Sequence, residues 1–245
     1  MTILEHLNML PVRYSTDIST IEIGVDEAGR GPMFGPVYAA AVVLPENDPE
    51  FPYKDMKDSK RFSSAKKIAK VAEIIKDKAI GWGVASCDHA YIDKHNIRSA
   101  THAAMHAAIQ QVLTKVKPTA LTPLLLIDGN DFKPMPWAPE GEIGFAKHVC
   151  ITKGDNKYAS IAAASILAKV ARDQHILSLC EENPELQEHY EIAKNKGYGT
   201  ANHMKGLREH GLSPYHRRTF GLCSRLSFKT KLIEDDADIT SHQSQ

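Results

Sequence analysis

Apolar positions along the chain follow two rhythms. Ile21 to Val25 is a short β-branched run, and Val37 to Leu44 is apolar almost throughout, as expected of a strand covered on both faces. From Ser63 to about Ala79 the spacing changes to three and four. Ile68, Val71, Ala72, Ile75 and Ala79 fall on one side and Lys66, Lys67, Lys70 and Lys78 largely elsewhere, which predicts an amphipathic helix with a basic side. Ile80 to Cys87 then reads as a strand, and Asp88 to Leu113 as a long alanine-rich helix or a pair of helices. Leu124 to Ile127 is a short apolar strand ending at Asp128-Gly129, and a proline-rich loop, Pro134 to Pro139, follows it. His148 to Thr152 is the next strand, ending at Lys153-Gly154-Asp155. Residues 158 to about 180 form a helix whose first half, Tyr158 to Ala168, carries no charge. Such a helix is buried on most sides, its alanines allowing close approach to a sheet. Strands and helices in this succession predict an α/β fold, a mixed sheet flanked by helices.

Composition narrows the class. At 245 residues the chain forms one large domain or two small ones, able to bury about 70 to 75% of its unfolded surface. Thirty basic and thirty acidic residues cancel, so any attraction to a polyanion must come from local clustering. One stretch qualifies: Lys194, Lys196, Lys205, Arg208, Arg217 and Arg218 stand against the single acid Glu209. Cys87, Cys150, Cys180 and Cys223 lack the paired spacing of a zinc site and fit buried thiols in a reducing cytosol. With no signal peptide and no apolar run long enough for a bilayer, the chain reads as soluble and cytoplasmic. Residues 1–20, without periodicity, are an N-terminal extension, either an adapter segment or a frayed arm. Residues 21–225 are an α/β domain ending in a helical C-terminal part, and 226–245 are a polar, disordered tail that includes the acidic run from Glu234 to Asp238.

The chemistry concentrates where strands run out. Asp26-Glu27, Asp128 and Asp155 each follow a predicted strand, and ligands collect at strand ends in sheets of this kind. Hard oxygen ligands without cysteine imply Mg2+ or Mn2+. Without metal, mutual repulsion should raise the pKa of at least one of these acids. Adjacent strand residues point to opposite faces, an objection to Asp26 and Glu27 serving one site. A bend begun at Ala28-Gly29 and the longer Glu side chain would answer it. The glycine turn has plainer uses, and its G-x-G-x-x-x-G spacing with Pro32 does not match a dinucleotide-binding fingerprint. His95, His102 and His106 would share a face of a continuous helix. With no carboxylate or cysteine joining them on it, they read as solvated or hydrogen-bonded histidines rather than as ligands.

The words Asp26-Glu27-Ala28-Gly29-Arg30-Gly31, Asp58-Ser59-Lys60, Leu126-Ile127-Asp128-Gly129, Lys153-Gly154-Asp155, Ala163-Ala164-Ser165-Ile166-Leu167-Ala168-Lys169-Val170, Lys196-Gly197-Tyr198-Gly199-Thr200 and His216-Arg217-Arg218 occur in this order. From about Ile21 to Phe220 the chain resembles the ribonuclease HII family, type 2 ribonucleases H, in its bacterial form. The resemblance implies a ribonuclease-H-like fold and a metal-dependent endoribonuclease. It implies hydrolysis of the RNA strand of RNA/DNA hybrids and cleavage 5′ to single ribonucleotides embedded in duplex DNA, leaving 3′-hydroxyl and 5′-phosphate ends, in ribonucleotide removal and primer RNA degradation.

The fourth acid is Asp155 or Asp173, since a helix between them would hold them about 27 Å apart. Asp155 follows a strand and matches the family motif. The resemblance thus makes Asp26, Glu27, Asp128 and Asp155 the catalytic and metal-binding residues. They would hold two Mn2+ or Mg2+ ions roughly 3.5 to 4 Å apart for an in-line displacement. It also implies that the Gly29-Arg30-Gly31 backbone reads the ribose 2′-hydroxyl and that Tyr198 packs on the neighbouring deoxyribose. From its own surroundings Tyr198, between two glycines, is equally a turn anchor. Lys60, Lys153, Lys196, Arg217 and Arg218 are candidates for phosphate contacts, which position a duplex without specifying it.

Two rival functions are a hybrid-binding relative without cleavage, which loss of the acids would mark, and a dinucleotide-dependent oxidoreductase. Type 3 enzymes differ by a large N-terminal substrate-binding domain. The family suggests a monomer, and no clamp-binding peptide is recognisable at the C-terminus.

Overall fold

A computed structural model describes residues 9–116, 121–137 and 144–226. As far as it is described, the chain divides into two units. The first takes in the residues up to Arg30, Val37–Cys87 and Arg98–Arg172; the second takes in Gly31–Pro36, Asp88–Ile97 and the residues from Asp173. The helical C-terminal part therefore draws in two short upstream segments that periodicity did not single out.

In the first unit, β1 (Thr20–Ala28), β2 (Val37–Val43), β3 (Gly81–Cys87), β4 (Thr122–Asp128) and β7 (Lys147–Ile151) form a mixed sheet of order β3-β2-β1-β4-β7. The short β5 (Pro136–Trp137) and β6 (Gly144–Phe145) pair separately. β2 runs antiparallel to β1 and β3, whereas β1, β4 and β7 are parallel, with Val25 opposite Ile127 and Asp128 opposite Ile151. Three neighbouring strands thus end at the same edge. One sheet face packs Ile23, Val25, Leu125 and Ile127 against Met105, Ile109 and Val112 of α2 (His89–Val116). On the other, Ala40 and Val42 meet α1 (Ala65–Lys78) through Ile68, Val71 and Ile75, and α3 (Ala159–Glu182) through its alanines. Gly24 shows how close α3 lies: a Cβ there would stand 2.2 Å from the Ser160 carbonyl carbon.

Of the two readings for Asp88 to Leu113, one long helix or a pair, the structure gives the pair: the run is broken at Asn96, whose φ of 65° is left-handed. His95 therefore does not share a continuous helical face with His102 and His106. His106 bonds the Lys133 carbonyl at 2.7 Å, and His102 stands 3.5 Å from Asp131, so these histidines are hydrogen-bonded rather than clustered. Residues 9–19 form no helix or strand but are tied to the first unit. The Pro11 carbonyl accepts the Ala159 N–H at 2.9 Å, and the buried Glu22 carboxylate accepts the N–H groups of Tyr14 and Ser15. The polar tail after Leu226 lies outside the described residues.

The second unit has its own core of Phe34, Ile176, Leu186, Tyr190, Ile192 and Leu207. Its helices include α4 (Glu185–Tyr190), α5 (Ile192–Asn195) and α6 (Ala201–His210). No helix among the described residues is long and apolar enough to cross a membrane.

Candidate active site

The parallel strands of the first unit deliver the acids. Asp26 and Glu27 are the seventh and eighth residues of β1, Asp128 ends β4, and Asp155 lies in the 3-10 turn Gly154–Asn156 that follows β7. The bend expected at Ala28-Gly29 starts one residue later, since Ala28 still pairs with Tyr38 and Gly29 has a φ of 94°. Asp26 accordingly faces α3, where its carboxylate hydrogen-bonds Ser165, while Glu27 pairs with Arg30 at 3.2 Å. Both nevertheless feel the charge of Asp128, and so does Asp155, which makes Asp128 the common neighbour of the group. Asp128 Oδ1 accepts the Gly154 N–H at 2.6 Å, tying the end of β4 to the turn that carries Asp155.

Electrostatics bear out the expected strain and correct its cause. Burial, more than repulsion, holds the Asp26 carboxyl well above the ordinary carboxylate range, with Glu27 and Asp128 adding to it. Burial raises Glu27 as well, against the pull of Arg30. Asp155 is raised by burial and then by Asp128 and Asp58. Lys60 is exposed, and its charge favours the ionised forms of both Glu27 and Asp155, which places this lysine beside the acids.

Among the described residues no three His, Cys, Asp or Glu side chains are arranged to hold a metal ion as they stand. Donors engage each acid instead: the Glu27 N–H on Asp26 at 2.7 Å, Arg30 on Glu27, the Gly154 N–H on Asp128 and the Asn156 amide on Asp155 at 3.0 Å. As a donor set, four carboxylates without sulfur or imidazole fit Mg2+ or Mn2+.

Sequence reasoning gave no role to Ser59 and Ser165, whose buried hydroxyls lie 3.0 Å apart behind Asp26, or to Asp58, which accepts the Lys60 N–H at 2.9 Å. Their only signal was membership of the quoted words.

The family model described as Ribonuclease HII matches residues 23–231. The chain belongs to the ribonuclease HII family. Ribonuclease HII of Parabacteroides distasonis is 46% identical over 202 residues, covering 82% of this chain and 90% of that protein. Its counterpart in Bacteroides thetaiotaomicron is 44% identical with the same coverage. Among solved structures, ribonuclease H2 of Pyrococcus horikoshii shares the fold with a TM-score of 0.65 at 22% identity, covering 86% of this chain and 98% of that one. Bst-RNase HIII in complex with Mn2+ shares it with a TM-score of 0.57 at 21% identity, covering 87% and 71%. A member of the ribonuclease HII family is a metal-dependent hydrolase acting on RNA/DNA hybrids, which removes the oxidoreductase reading.

The remaining expected residues divide. Lys153 is exposed on a left-handed backbone beside Asp155, with φ 56°. In the second unit Tyr198 is 51% exposed, and its Cε1 lies 3.7 Å from where a Cβ on Gly31 would stand, so ring and glycine backbone share one surface. Lys196 turns back to the Ala193 carbonyl, and Arg218 exposes its side chain while its N–H donates to Asp93 at 2.8 Å. Arg217 is a correction. It is 0% exposed, and its guanidinium donates to the Pro32 and Gly35 carbonyls at 2.7 and 2.9 Å. It therefore fastens the loop after Gly31 rather than meeting a phosphate.

Proposed function

We propose that this chain hydrolyses the RNA strand of RNA/DNA hybrids and cuts 5′ to single ribonucleotides embedded in duplex DNA, leaving 3′-hydroxyl and 5′-phosphate ends. The observation that carries the reading is the convergence of Asp26, Glu27 and Asp155 on Asp128 at one sheet edge, with three of the four carboxyls raised by burial. Asp26, Glu27, Asp128 and Asp155 hold the divalent cations, Mg2+ or Mn2+. When bound, these supply Lewis-acid activation of water and stabilisation of the leaving oxygen. The chain's own residues do the positioning. Ser165 and the Glu27 N–H orient Asp26, and the Gly154 N–H orients Asp128. Lys60 stands beside the acids as a cation suited to a phosphate oxygen, and Lys153, Lys196 and Arg218 serve the flanking backbone.

Reading RNA against DNA falls to the Gly29-Arg30-Gly31 backbone and to Tyr198, whose exposed ring beside Gly31 is suited to a sugar. Arg30 and Gly31 are joined by a peptide bond, so this loop directly continues the strand that carries Asp26 and Glu27. The protein acts as a cytoplasmic monomer in ribonucleotide removal and primer degradation.

Cleavage of a duplex carrying one ribonucleotide, with Mg2+ or Mn2+ supplied in turn, tests the reading. A cut on the 5′ side that EDTA abolishes and Asp128→Asn removes is expected. Cleavage of continuous hybrids alone would refute the sugar-reading role, and binding without cleavage by folded wild type would refute hydrolysis.

A further inference from the structure

Hydrolysis leaves the buried histidines of the second unit without a role. His203 is 0% exposed and His216 1% exposed, and their Nε2 atoms stand 2.9 Å apart. The ends of this pair assign its protons. The Ser213 N–H donates to His216 Nδ1 at 3.0 Å, so that nitrogen is bare and the His216 proton sits on Nε2. It is donated to His203 Nε2, which leaves the His203 proton on Nδ1, 2.9 Å from the Tyr198 carbonyl that accepts it. Both rings are neutral and all four nitrogens are used. Burial pushes His216 down to about 3 and lowers His203, in keeping with a pair that carries no charge. The rings of Phe34 and Tyr190 close edge-on over His216, at 5.1 and 4.9 Å.

The chain ends where a sugar-reading residue needs support. Gly197, with a φ of 84°, packs so tightly that a Cβ would meet that of Phe34 at 2.8 Å, and its carbonyl accepts the Met33 N–H at 3.0 Å. Tyr198 follows it, donating its N–H to Asn195 at 3.0 Å and accepting from Thr200 at 2.8 Å. His203 supplies the second donor to the same carbonyl. His216 pairs with Phe34 through an isolated bridge, so the pair joins the Tyr198 turn to the segment that begins at Gly31.

We propose that His203 and His216 are positioning residues for Tyr198. Their two-ring hydrogen-bond chain fixes the Tyr198 backbone, and with it the exposed ring beside Gly31, for recognition of a single ribonucleotide, while neither imidazole touches substrate. The inference rests on the sugar-reading role of Tyr198 argued above.

Steady-state cleavage of two substrates, a duplex with one ribonucleotide and a continuous hybrid, tests it in wild type, His203→Ala and His203→Asn. The Asn amide places a donor where Nδ1–H stands. His203→Ala is expected to raise KM for the single ribonucleotide about tenfold, the worth of a lost buried hydrogen bond, and to leave kcat and the hybrid's KM within about twofold. His203→Asn restores the KM to within about threefold of wild type. Should His203→Ala not fold, His203→Gln, which keeps the bulk but withdraws the donor from the Tyr198 carbonyl, carries the same expectation. Nitrogen NMR of the unliganded protein should show His203 protonated at Nδ1 and His216 at Nε2.

Equal losses on both substrates without rescue by Asn, unchanged KM in His203→Ala, or the opposite tautomers would each overturn the proposal. A wild type that cuts hybrids but never the single ribonucleotide would overturn the Tyr198 reading and this proposal together. Normal discrimination by both wild type and His203→Ala would overturn the proposal alone.

Discussion

In the first unit Asp26 and Asp155 are buried beside Asp128, and their carboxyls are pushed up by that burial first and by the neighbouring acids second. In the second unit His203 and His216 are buried at least as deeply, but each ring nitrogen meets a partner and both rings are neutral. Desolvation penalises the charged form in both places. The histidines avoid the cost by giving up charge and closing a hydrogen-bond chain. The acids have no such escape, and the cost shows as raised carboxyls, in keeping with the proposal that they hold a cation.

The largest effect expected from breaking this contrast is loss of cleavage in Asp128→Asn. Removing the charge shared by the other three acids should lower kcat on a hybrid by about three orders of magnitude, as measured in single-turnover assays. Next is Arg217→Lys, which keeps the charge but cannot span the Pro32 and Gly35 carbonyls with a planar fork. A loss of about 3 kcal/mol in urea unfolding is expected.

Asp26→Asn should inactivate the enzyme and yet stabilise the metal-free fold at pH 7 by about 2 kcal/mol, since it removes a buried carboxylate that burial disfavours. The folded pKa of Asp26 lies above its unfolded one, so the native state binds more protons between the two. Wild-type stability therefore falls as pH rises through that window, and the variant's stability curve should lack this fall. At neutral pH the smallest effect belongs to His216, whose contribution changes only on the acid side. Its folded value of about 3 lies below 6.5, so its contribution is full above pH 6.5 and is lost as pH falls towards 3. His216→Phe should flatten the acid side of the stability curve by about 1 kcal/mol per pH unit.

Much of the first unit was legible because its strands are apolar runs that stop at acids: Val25 before Asp26, Ile127 before Asp128. Alanines at 159, 162, 163 and 164 likewise announced a helix lying against a sheet, where they are fully buried. Parallel pairing of β1 with β4 and of β4 with β7 was not legible, since it is made through backbone bonds that any side chain permits, and in the first case it joins Thr20 to Thr122. Arg217 resembled Arg218, its neighbour, and only tertiary structure shows one guanidinium buried and the other side chain exposed. Asn96 sits in a polar run compatible with a helix, and its residue type, one of the few that accept a positive φ, is the sole local mark of the break. The histidine chain depends on side-chain hydrogen bonds that link Tyr198, His203 and His216, which periodicity does not report.

The central claim, that the carboxylates around Asp128 form a divalent-cation site, is tested most directly by thermal unfolding with increasing Mn2+ or Mg2+ in wild type and Asp128→Asn. A cation-dependent rise in wild-type stability, about 2.7 kcal/mol at a hundredfold excess over Kd, is expected, with its near disappearance in the variant. Equal stabilisation of both proteins, or none in wild type, would contradict it.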